Sequence, residues 1–104
     1  MNWPPKDPDE ILDYDIDWTS RLYSKAELAS VAAGETVIPA DSISTSTFTL
    51  PLGIVANSTS NTTTTTKVWI SGGTEGQSYL VENRIVTAGG RTMDQTVKLR
   101  IKSK

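Results

Sequence analysis

Two stretches near the ends of the chain alternate apolar and charged side chains without a break. In the first, Leu12, Tyr14, Ile16 and Trp18 alternate with Asp13, Asp15 and Asp17. In the second, Val97, Leu99 and Ile101 alternate with Lys98, Arg100 and Lys102. Successive side chains of a strand point to opposite faces, so a period of two gathers the apolar groups on one side. Each stretch is therefore expected to be a half-buried strand lying over a core.

The residues between them carry further strand signals. Segments 35–38, 42–50, 54–58 and 65–70 are short and rich in β-branched residues, with Pro39, Pro51 and Gly53 as punctuation. In 65–70, Val68 and Ile70 share one face and Trp69 takes the other. Residues 78–87 place Tyr79, Val81 and Ile85 together, and the Gly-containing segment 88–94 links them to the last strand as a hairpin. One stretch is different. Ser24 with Glu27 makes a capping-box pattern, and Leu28, Val31 and Ala32 share a face before Gly34, which predicts a short helix over 25–32.

About seven short strands at this spacing predict an all-β fold: a single immunoglobulin-like antiparallel β-sandwich. Pro4, Pro5 and Pro8 make residues 1–10 an extended N-terminal arm, leaving 11–104 as the sandwich domain. Tyr79 follows a Gly-rich turn and opens a strand. A tyrosine so placed turns the corner between immunoglobulin-like sheets and ties its hydroxyl back to the backbone; the alternative is an ordinary core tyrosine.

The chain has 104 residues, no Cys and no His. That length holds one modest core. Without Cys there is no disulfide scaffold and no thiolate site. Without His, the many Ser and Thr hydroxyls lack their commonest activating base, and zinc lacks its commonest ligand. Ser24 and Lys25 are adjacent, not at the S-x-x-K spacing. The row Asp13, Asp15, Asp17 resembles a calcium-loop fragment, but the positions needing Gly and Glu hold Trp18 and Ser24. The segment GGTEGQ lacks the Lys-Ser/Thr ending of a phosphate loop and reads as a turn. No catalytic residue, metal site or cofactor is therefore expected. The basic end has no interleaved aromatics, so no nucleic-acid partner is expected. No apolar run is long enough for a membrane span, and MNWPPKDPDE does not read as a secretory signal. Asn57 and Asn61 begin N-x-Ser/Thr triplets, which are read as unmodified.

Charge is segregated. Residues 1–18 hold six acids and one base, and residues 84–104 hold six bases and one acid. Pairing the first and last strands would set the Asp row against the Lys/Arg row and fix their register. The alternative is that each row meets a partner, the acidic arm acting as a docking strand for a neighbouring subunit. Trp3, outside the strands, either folds back on the sandwich or anchors a partner.

Residues 3–22, WPPKDPDEILDYDIDWTSRL, resemble the opening of a family of small tailed-bacteriophage virion proteins, with a Pro-Lys-Asp-Pro-acid segment (Pro5, Lys6, Asp7, Pro8) and an Asp-Tyr-x-x-Asp-Trp strand (Asp13, Tyr14, Asp17, Trp18). A Thr-rich middle, VWISGGTEG (68–76) and NRIVTAGGRTMD (83–94) continue the likeness over most of the chain. The resemblance, to fiber-tail adaptor proteins, implies a structural role in the virion without catalysis: an adaptor between tail or neck and fibres. Its partners would be other virion proteins, with multiple copies in a symmetric assembly. The alternative is a capsid decoration protein, and a further class is a carbohydrate-binding sandwich, for which only Trp69 and Trp3 offer platforms. The expected contact residues are Trp3, Lys6, Asp7, Asp9 and Glu10 of the arm and Gly89, Gly90 and Arg91 of the last loop, with a solvated loop charge as the plain reading of Arg91. On this view, deleting 1–10 leaves a folded domain that no longer joins the particle.

Overall fold

The computed structural model describes residues 1–104. Six strands and two short helices follow in the order β1 (Leu12–Asp17), α1 (Thr19–Leu22), α2 (Lys25–Ala32), β2 (Ile43–Thr49), β3 (Ile54–Asn61), β4 (Thr65–Gly72), β5 (Ser78–Thr87) and β6 (Thr92–Arg100). They form two antiparallel sheets, β1-β4-β3 and β2-β5-β6. The central strands β4 and β5 supply the middle of the core. Val68, Ile70, Val81 and Ile85 are fully buried there, with Val97, Leu99 and Ile101 from the last strand and the residue after it. Each such side chain contributes about 1.5–3 kcal/mol on leaving water.

The seventh strand is the arm. Residues 1–6 run parallel to the end of β6: Trp3 N donates to Lys98 O, Lys98 N to Met1 O, Lys6 N to Arg100 O and Lys102 N to Lys6 O. The orders β1-β4-β3 and β2-β5-β6 reproduce the B-E-D and C-F-G neighbours of an immunoglobulin-like sandwich, and the arm adds to the outer edge of β6. Tyr79 takes the corner position: its hydroxyl accepts from Thr74 N at 3.1 Å, five residues upstream, across the turn between β4 and β5. Gly53, at φ +107°, lets the chain pass under that ring, where a Cβ would lie 2.9 Å from the tyrosine hydroxyl.

Three expectations are corrected. Residues 35–38 form no strand; Val37 O accepts from the Tyr23 hydroxyl at 2.7 Å and Ile38 is 85% exposed. The last strand begins at Thr92, inside what reads as loop, because Met93 pairs across from Ile85. Most importantly, the Asp row and the Lys/Arg row do not meet. β1 pairs with β4 and β6 with β5, in different sheets. Both strands turn their apolar faces to one shared core, so their charged faces point outward in opposite directions. Asp13 and Asp15 instead flank Lys67 at 3.5 and 3.9 Å.

The helix over 25–32 is present with both arms of its capping box: Glu27 N donates to Ser24 Oγ, and Ser24 N to Glu27 Oε1. α2 buries none of its residues. Glu27 does a second task, accepting from Ala40 N at 2.9 Å and so closing the long connection to β2.

Candidate docking surfaces

Strand direction separates the expected contact residues into two groups. β4 runs from Thr65 at one end of the sandwich to Gly72 at the other, and β5 runs back from Ser78 to Thr87. The arm and the turn after it sit at the Gly72 end, because Lys6 Nζ donates to Gly72 O at 2.7 Å. Loop 88–91 sits at the other end, because Thr87 N donates to Arg91 O and Ala88 N to Ser42 O. The body is 45 Å along its longest axis, and the ten residues of β5 alone span about 33 Å.

At the arm end, Trp3 and Lys6 lie inside the protomer and not on its surface. Trp3 stacks on Tyr14 with ring centroids 4.8 Å apart, and its indole N–H donates to Asp15 O at 3.0 Å. Lys6 has no exposed surface; its ammonium donates to Asp7 O and Gly72 O, and burial lowers its pKa. Asp7, Asp9 and Glu10 form a tight acidic turn. Asp7 Oδ1 accepts from Asp9 N, Glu10 Oε1 from Asp7 N, and Asp7 Oδ2 from Lys104 N. These backbone donors hold the Asp7 and Glu10 carboxyls below their usual range, with the Lys104 ammonium 2.9 Å from Glu10 adding to the second. Asp9 and Ile11 are the exposed side chains of residues 7–11.

At the far end, Arg91 is not a free loop charge. Its guanidinium pairs with Asp41 at 2.7 Å and donates to Leu22 O at 2.7 Å, capping the last carbonyls of α1. Burial pushes the Asp41 carboxyl up. Arg91, the Thr87 hydroxyl and the N–H groups of Gly89 and Ser42 outweigh that and hold it at about 2. Gly89 allows the approach, since a Cβ there would lie 3.1 Å from Asp41 Oδ1. Gly90 closes the hairpin turn at φ +87°, a conformation that favours glycine. Beside this clasp lies a groove of about 870 Å³ lined by Leu22, Glu27, Ala40, Ala88 and the Asp41–Arg91 pair.

Sequence reasoning found Gly89, Gly90 and Arg91 but missed Asp41, and it read Glu27 only as the capping-box partner of Ser24. Nothing near Asp41 along the chain marks it, since it meets Arg91 across fifty residues, and the reach of Glu27 to Ala40 spans thirteen. It also missed Leu80, exposed on the central strand of the β2-β5-β6 sheet, while Trp69 of the other sheet was read only as a carbohydrate platform.

No curated protein matches the chain. A family model described as podophage GP4 fiber-tail adaptor protein gp77 matches residues 6–100. The matched span starts at the buried lysine of the arm and ends on the last residue of β6, so it takes in all six strands and both tied ends, and the chain belongs to this family of phage fiber-tail adaptors.

Proposed function

We propose that the chain is a non-enzymatic link of the virion that joins tail and fibres through protein–protein contacts at its two ends. The observation that carries this reading is the placement of two separately braced clusters at opposite ends of one rigid sandwich. An adaptor must hold two partners at once, and opposite ends keep them from competing. The acidic turn of Asp7, Asp9 and Glu10 offers one contact, with Ile11 beside it. The groove beside Gly89, Gly90 and Arg91 offers the other. Trp3 and Lys6 serve this reading indirectly, by fixing the turn to the sandwich.

The test uses phage lacking the gene, supplied with variants in trans. Asp9→Lys with Ile11→Asp alters the exposed side chains of the first end, and Ala88→Arg fills the groove at the second. Each variant should melt like the parent. One should yield particles without the protein, and the other particles that carry it but lack fibres. Particles that keep both with either variant, or immunogold label spread over the capsid shell, would refute the reading.

A further inference from the structure

The two charged rows leave the chain with complementary outward faces. On the β1-β4-β3 sheet, Trp69 of the central strand is 40% exposed and Asp13 sits directly across from it. On the β2-β5-β6 sheet, Leu80 of the central strand is 62% exposed and Lys98 sits directly across. Asp13 shares Lys67 with Asp15, whereas Lys98 and Arg100 form no ion pair within the protomer.

The levels of these residues coincide. Thr66 Oγ1 donates to Asn83 Oδ1 at 2.7 Å, which sets the two residues at one height in facing sheets. Three residues from Thr66 toward the arm end is Trp69, and three residues from Asn83 in the same direction is Leu80. By the same count Lys67 stands level with Glu82. The lateral order coincides as well, since Trp3, bonded to Lys98, stacks on Tyr14 of β1 and so places β1 over the arm side of β6. A second copy moved along the sheet normal without turning therefore brings Leu80 onto Trp69, Lys98 onto Asp13 and Glu82 onto Lys67.

We propose that copies of this chain associate head to tail, the acidic Trp69 face of one against the basic Leu80 face of the next. A two-fold arrangement would oppose Asp rows to Asp rows, which charge disfavours. The head-to-tail contact uses two different surfaces on each copy, so it builds a ring where the rotation per copy closes and a stack where it does not. This surface is separate from the two ends assigned to tail and fibres, and its test reads contacts between copies, not fibre attachment.

The native chain has no cysteine, so introduced thiols report without background. Trp69→Cys with Leu80→Cys in one chain, oxidised both as purified protein at millimolar concentration and in assembled particles, should give a ladder of dimers, trimers and higher species. Either single variant alone should give no ladder. In light scattering or particle copy number, Asp13→Lys or Lys98→Asp should weaken association at least tenfold, and the double reversal should restore it. A ladder in either setting supports the proposal. Absence of a ladder from both settings, disulfide dimers from Trp69→Cys alone, or a double reversal no better than the single ones overturns it.

Discussion

Asn83 sits with no solvent exposure between two sheets of mainly aliphatic side chains. Its Oδ1 accepts from the Trp18 indole at 3.0 Å and from the Thr66 hydroxyl, and its Nδ2 donates to Ser46 Oγ and Thr47 O. Every polar capacity of the amide is used, and the bonds reach β2, β4 and the residue after β1. A buried network of this kind stabilises only when complete. Asn83→Ala should therefore cost about 2–3 kcal/mol, measured by urea unfolding, because several buried groups lose their partner together. Tyr79→Phe provides the contrast at the same scale. It removes one bond, at the exposed Thr74 N–H, and should cost about 1 kcal/mol. An unchanged melting curve for Tyr79→Phe would strip the corner contact of any stabilising role. The corner role was legible from a Gly-rich turn before a strand. The network was not, since Asn83 reads as one more polar residue until the strands are paired.

At the scale of elements, the arm and the two sheet faces show where periodicity suffices and where it does not. β1, β5 and α2 fall within a residue of their expected bounds, because alternation and a capping box are local signals. The arm's extended backbone was equally legible from its prolines. Its docking was not, because nothing within residues 1–10 states which edge will accept it. Once Trp3 is buried against Tyr14 and four backbone bonds join the arm to β6 and the residues that follow it, the expectation for its removal changes. Deleting residues 1–6 should lower stability by at least about 3 kcal/mol, the scale of losing a buried tryptophan. It should also expose the edge of β6 to aggregation. A deletion variant with the parent urea midpoint would show that the arm is no part of the fold.

For the whole molecule, charge is spent on tying ends and decorating faces. The carboxyls of Asp7, Glu10, Asp17, Glu27, Asp41 and Asp94 all lie below their usual values, chiefly through hydrogen bonds that favour the charged form. A carboxyl lowered in the folded state takes up protons later than in the unfolded chain. Its stabilisation is complete above the unfolded value, near 4, and drains away as pH falls toward the folded value. For Asp41 that window runs from 3.8 down to about 2. Thermal unfolding should thus be flat between pH 5 and 7 and fall steeply below 4. Asp41→Asn should lower the midpoint at pH 6 but converge on the parent near pH 2. A constant gap between the two curves would contradict the ion pair as its cause.

The same scale separates local from non-local information. Strand, helix and turn positions follow from alternation, capping and proline or glycine, all readable within ten residues, and the all-β class follows from their sum. Which strands pair is decided by enclosure of a common core. Two half-apolar strands satisfy that equally well side by side in one sheet or facing each other from two. Packing chose the second arrangement, so Asp13 and Lys98 ended on opposite outer faces and Trp3 and Lys6 inside. The ties of Asp41 to Arg91 and of Asn83 to Trp18 join residues far apart in the chain, and only the closed sandwich brings them within hydrogen-bonding reach.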